Sequence, residues 1–117
     1  MLSVKEKGFL LSIIKHCNKI NDKMNGLTRE QFDSDEDTVI VICFSILQIG
    51  ELAKNFEPEF IKKYNGVPWG QIKGMRDKVA HGYDKIDMNR VWETALIDIN
   101  PLLNYCEQIL KENDSGF

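Results

Sequence analysis

TVIVICFSILQI, residues 38–49, is the stretch whose reading decides the fold. Its β-branched content alone suits a strand. Length and flanks point instead to a helix: the apolar pattern carries on to about Asn55, and Asp35 and Glu36 precede it where the positive end of a helix dipole would sit. Ser34 and Asp37 have the spacing of a capping box, so the helix is predicted to open there. Val39, Ile42, Cys43, Ile46, Ile49 and Ala53 form one stripe at helical spacing, and Ile40, Phe44 and Leu47 form a second. Apolar surface therefore covers more than the face a single core needs. A homodimer would bury the excess, and so would a central position inside one bundle. Ser45, Gln48, Glu51 and Asn55 leave one narrow polar seam, either open to solvent or lining a cleft.

Working outward, Leu10, Ile13, Ile14, Cys17, Ile20 and Met24 recur at spacings of three and four, which predicts an amphipathic helix over about 3–24, ending near Asn25-Gly26. The polar stretch TREQFDSDEDT joins it to the second helix. Pro58, Gly66 and Pro68 punctuate a connector that holds a short helical turn, EFIKKY. A third helix is expected from Pro68 or Trp69, with Trp69, Ile72, Met75 and Val79 inward and Gly82 as its stop. The fourth opens near Asp87 and carries Met88, Val91, Trp92, Ala95, Ile99, Leu102, Cys106 and Ile109 in steady alternation, with Pro101 expected to bend it. No internal repeat, low-complexity tract or strand pair interrupts this pattern. The expectation is an all-α, up-and-down-type four-helix bundle with a short extra helical turn, one domain over residues 1–117, with a tail fraying from about 113.

A chain of 117 residues closes one hydrophobic core. The apolar run Phe9–Ile14 is too short for a signal h-region or a membrane span, which points to a cytoplasmic protein with no membrane partner. Cys17, Cys43 and Cys106 lie far apart, each within an apolar pattern, and read as buried free thiols. Neither His16 nor His81 has a partner at metal-ligand spacing, so no metal site and no cofactor are expected. The net charge of −3 argues against indiscriminate nucleic-acid binding. Residues 60–90 nevertheless hold seven cations against three carboxylates, a net +4 that leaves −7 for the rest of the chain. A local cationic surface of this kind suits phosphate, although single lysines such as Lys73 and Lys78 also suit a solvated face.

Within that segment stand Arg76, His81 and Tyr83, in RDKVAHGYDKID. Arginine is a permanent cation with a planar fork of donors suited to phosphate, and histidine exchanges protons near neutrality. Together they fit phosphodiester cleavage, in which a 2′-hydroxyl attacks the neighbouring phosphorus and an acid protonates the leaving oxygen. Base and acid act on opposite sides of phosphorus, so two copies of Arg76 and His81 at a two-fold cleft would serve better than one. Positions five apart do not share a helical face. The two residues converge if the helix ends near Ala80 and His81 swings out on the cap. Structural roles also account for each residue: Arg76 as a paired arginine at the edge of the core, His81 as a helix C-cap, Tyr83 as a packed turn residue.

RDKVAHGY resembles the Arg-x4-His-x-Tyr motif of the HepT-like ribonuclease toxins of the HEPN superfamily. The likeness extends to the surroundings, PWGQIKGMRDKVAHGYDKID with Trp92 beginning the next helix and IGELAK closing the long second helix. The resemblance spans essentially the whole chain. It implies a small all-helical homodimer with a metal-independent endoribonuclease site across the dimer cleft, acting on tRNA or mRNA. It also implies pairing with a minimal, MntA-like nucleotidyltransferase antitoxin of a type VII toxin-antitoxin system, which attaches AMP to the motif tyrosine. Carried over, Arg76 and His81 are catalytic and Tyr83 is the AMP acceptor, with Glu51, Lys73 and Lys78 in support. The residue after the arginine is often asparagine in the superfamily and here is Asp77, a carboxylate that could orient Arg76 but lowers the local positive potential. The competing reading is a non-catalytic helical module that docks a nucleotidyltransferase partner. A nucleotide-binding helper has little support, because no glycine-rich phosphate loop is present.

Overall fold

Ser3 opens α1 (Val4–Met24) with a capping box: its hydroxyl accepts from the Glu6 amide while the Glu6 carboxylate accepts from the Ser3 amide. The computed structural model describes residues 1–79 and 87–114, with 77–79 as backbone alone. Along α1 the predicted stripe is the buried one, since Leu10, Ile13, Cys17 and Ile20 are fully enclosed.

The polar connector after α1 holds a helix of its own, α2 (Arg29–Ser34). Thr28 and Gln31 form a second capping box, and Phe32 is fully buried with its ring 5.1 Å from that of Trp92. This corrects the expected Ser34–Asp37 capping box. Ser34 closes α2, its hydroxyl donating back to the carbonyls of Glu30 and Gln31. Asp35 caps α3 (Glu36–Ala53) by accepting from the amide and hydroxyl of Thr38. Those two hydrogen bonds hold the Asp35 carboxyl below the usual carboxylate range. A capping box needs its hydroxyl at a non-helical residue, and Ser34 is already helical.

The decisive stretch is helical throughout, and its first stripe, Val39 to Ala53, is buried as predicted. α4 (Pro58–Lys63) is the expected short turn, opened by proline. Phe60 of this helix stacks on Phe56, Trp69 meets both rings edge-to-face, and the Trp69 indole N–H donates to the Tyr64 carbonyl. α5 (Trp69–Val79) follows with Trp69, Ile72 and Met75 inward. The inward Val79 side chain and the Gly82 stop lie outside what is described.

Asp87 caps α6 (Met88–Glu93), accepting from the amides of Asn89 and Arg90. Thr94–Asp98 is a π-helical turn, and α7 (Ile99–Asp114) completes the run. The fourth helix is thus interrupted a few residues before Pro101. Proline has no N–H for the carbonyl four residues back, that of Ile97, and its ring crowds that carbonyl; the wide turn immediately upstream accommodates both. α3 is central, packing on α1 and α5, while α1 also packs on α7. The result is an all-α bundle of four principal helices with two short ones, without a strand among the described residues.

Burial pushes the thiols of Cys17 and Cys106 up to about 12 and that of Cys43 to about 11, from an ordinary value of 9.0. Acids whose pKa is raised by folding keep their protons in the native state and release them on unfolding. Their contribution to stability is therefore complete below about pH 9 and is lost as pH climbs towards 12, at up to ~1.4 kcal/mol per pH unit per thiol. Urea midpoints measured in reductant at pH 8 and pH 10.5 should fall more for the parent than for a Cys17→Ala/Cys106→Ala variant. Equal falls would show that the buried thiols do not set the alkaline limit.

Candidate active site at the α3–α5 contact

Arg76 lies on α5 one turn beyond Ile72, at the edge of that helix's apolar stripe, and its Nε donates to Oε1 of Glu51 on α3. Both side chains keep about two-fifths of their surface, 42% and 41%. An ion pair so exposed contributes at most ~1 kcal/mol to stability. Its stronger effect is on orientation: a guanidinium gripped at Nε has far fewer rotamers than a solvated one. Glu51 also has Lys54 Nζ at 3.7 Å, so its carboxylate stands between two cations.

The backbone beneath this pair is close-packed. A Cβ built on Gly50 would lie 2.9 Å from the Arg76 amide nitrogen and 3.0 Å from the Arg76 Cβ. The IGELAK segment therefore contributes two things to α5, a bare residue against its backbone and a carboxylate to its arginine. Only the carboxylate was legible as a candidate; a glycine inside an apolar helical run was the available signal for the other.

The polar seam of α3 does not run in one environment. Ser45 is fully buried, Gln48 and Glu51 are half-buried, and Asn55 is exposed with its amide donating to the Glu51 and Leu52 carbonyls. The second apolar stripe is only partly enclosed: Ile40 and Phe44 are 45% and 52% exposed, and Leu47 is half-buried. The ring of His16 on α1 meets Phe44 edge-on at 6.5 Å. Partial burial, with Lys15 and Lys19 nearby, lowers the His16 pKa. Ile40, Phe44, Leu47 and Glu51 follow one another at spacings of four, three and four, so the exposed stripe leads directly to the Arg76 partner.

Of the other predicted site residues, Lys73 is half-buried on α5. The side chains of Asp77 and Lys78, and all of His81 and Tyr83, lie outside the described residues. Among the described residues no helix is long and apolar enough to cross a membrane.

A helical bundle with an oriented arginine where α5 packs on the central helix α3, followed in sequence by His81 and Tyr83, defines a class of small all-α proteins with the Arg-x4-His-x-Tyr motif. The chain belongs to the HepT-like family, described as "Ribonuclease HepT-like", whose family model matches residues 13–109. It is 34% identical over 104 residues to "Putative RNase TTE0752" of Caldanaerobacter subterraneus subsp. tengcongensis, covering 89% of this chain and 93% of that protein. It is 31% identical to "Putative RNase MJ0127" of Methanocaldococcus jannaschii, with 91% and 88% covered. To "Probable ribonuclease HepT" of Thermococcus cleftensis it is 29% identical, with 90% and 96% covered. No solved structure matches the chain significantly.

Proposed function

We propose that this protein is a metal-independent endoribonuclease, the toxin of a type VII toxin-antitoxin pair, working as a homodimer whose cleft combines Arg76 and His81 from two copies. The observation that carries the reading is the grip of Glu51 on Arg76 in a chain of the HepT-like ribonuclease family. In the reaction, His81 of one copy takes the proton of an RNA 2′-hydroxyl as the 2′-oxygen bonds to phosphorus. The bond from phosphorus to the 5′-oxygen breaks, and His81 of the second copy protonates that leaving oxygen. Arg76 holds the extra negative charge of the phosphorane by charge-assisted hydrogen bonds. Lys73 and Lys78 add positive potential along the approach of the RNA, and Asp77 moderates it.

The stripe of exposed Ile40 and Phe44 with half-buried Leu47 supports the dimer. A two-fold axis near its Leu47–Glu51 end would bury the stripe and bring the two Glu51–Arg76 pairs to one cleft. Tyr83 is the regulatory position: an MntA-like nucleotidyltransferase transfers AMP from ATP to its hydroxyl, two residues from His81, the phenolic oxygen bonding to the α-phosphorus as pyrophosphate leaves and the phenolic proton passes to solvent. The added anion then occupies and repels the substrate phosphate.

The test is the intact mass of the protein made with and without such a nucleotidyltransferase, followed by incubation of each form with total RNA in EDTA. An adenylyl adduct mapped to Tyr83, with cleavage confined to the unadducted form, is the expected result. A folded dimer that binds the nucleotidyltransferase but cleaves nothing in either form would replace this reading with that of a non-catalytic docking module.

A further inference from the structure

We infer that Gly50 is a positioning residue for Arg76: its missing side chain lets α5 seat against α3 closely enough for the neighbouring Glu51 carboxylate to hold the guanidinium at Nε. This rests on the reading of Arg76 as the phosphate-handling group. Two of the three atoms that a Cβ on Gly50 would meet, the Arg76 nitrogen at 2.9 Å and the Ile72 oxygen at 3.3 Å, are backbone of α5. The third, the Arg76 Cβ at 3.0 Å, is fixed to that backbone. No rotamer change relieves such contacts, so a methyl there must push the helices apart or slide one along the other. The displaced segment is the one that carries Arg76, and the ion pair spans the same gap.

Glycine in the interior of a helix is otherwise less favourable than alanine, because it gives up more conformational freedom on folding. A close approach supplies the reason for it at position 50. The contrast with α5 itself is direct: at Gly70 and Gly74 an added Cβ would meet nothing within 4 Å among the described residues. The requirement therefore belongs to the α3 side of the contact, one residue from the carboxylate that grips the arginine. A shift near 1 Å in a group that must meet a phosphorane in line is enough to cost on the order of a hundredfold in rate.

The experiment compares the parent with Gly50→Ala and with Gly74→Ala, the same methyl added to α5 where it meets none of the described residues. Each is checked for folding by circular dichroism, then assayed for RNA cleavage and for the Arg76 Nε–H resonance in low-temperature nitrogen-proton spectra, where a carboxylate-bound Nε–H is slow to exchange. The expected result is that folded Gly50→Ala loses that resonance and cleaves about ten to a hundred times more slowly, while Gly74→Ala keeps both. Retention of the resonance in folded Gly50→Ala, or of the full rate, overturns the inference. Should even the parent cleave no RNA, the ribonuclease reading falls and the resonance alone decides the role of Gly50. If Gly50→Ala does not fold, two further measurements replace it: the nuclear Overhauser contact between a Gly50 Hα and the Arg76 amide proton in the parent, and the resonance in Glu51→Asp. A strong contact and a resonance lost on shortening the carboxylate arm are expected; a missing contact, or a resonance that survives the shortening, overturns the inference.

Discussion

Arg76→Ala and His81→Ala proteins are each expected to cleave RNA about 10²–10⁴-fold more slowly than the parent while keeping its helical fold. The size of the loss follows from the two roles. Without the guanidinium the phosphorane forms with no fixed cation beside it. Without the imidazole neither proton transfer has a group that titrates near neutrality. The fold should survive the first change because the Arg76 side chain keeps 42% of its surface in water, and its pair with Glu51 contributes ~1 kcal/mol or less. Single-turnover rates on a short RNA, with circular dichroism on the same samples, check the expectation. Variants as active as the parent would remove both residues from the chemistry and leave them as a structural arginine and a helix cap.

Phe44→Glu is the second change with a large expected effect. Phe44 is 52% exposed in the single chain and stands in the middle of the stripe from Ile40 to Glu51. A charge there costs the isolated bundle little, because the group it replaces is half in water. At a two-fold interface the same change places two carboxylates in a desolvated seam, where unpaired charge is strongly unfavourable. Light scattering should therefore give a dimer for the parent and a monomer for Phe44→Glu. RNA cleavage should fall at least about tenfold, since each monomer would hold one histidine where the proposed reaction uses two. A monomeric Phe44→Glu protein with undiminished cleavage would mean that one copy carries a complete site. A dimer that tolerates the glutamate would place the interface elsewhere.

How far the sequence led differs from element to element. The long helix Glu36–Ala53 was legible despite its strand-like composition, because its buried stripe, Val39 to Ala53, repeats at helical spacing for about four turns. The short helix Arg29–Ser34 was not, because its polar setting hid one anchoring ring: Phe32 finds Trp92 across the bundle, and no local pattern announces that contact. Ser45 belongs to a polar row on paper and is fully buried in the fold, since the packing of neighbouring helices, not the row's own composition, decides which part is enclosed. Pro101 announced a disturbance in the last helix. The form it took, a π turn over Thr94–Asp98, depended on how the chain upstream could yield.

By itself the sequence determined the four principal helices, most of the core and the place of Arg76 at the edge of its apolar stripe, because caps and three-four periodicity act between residues a turn apart. Only the tertiary structure decided that Glu51 pairs with Arg76, that Gly50 forms a close contact beneath them, and that Ile40 and Phe44 stay about half exposed. Those outcomes depend on how closely the axes of α3 and α5 approach and on which faces the other helices leave open. Such distances are set by the fit of side chains far apart along the chain, and no local spacing encodes them.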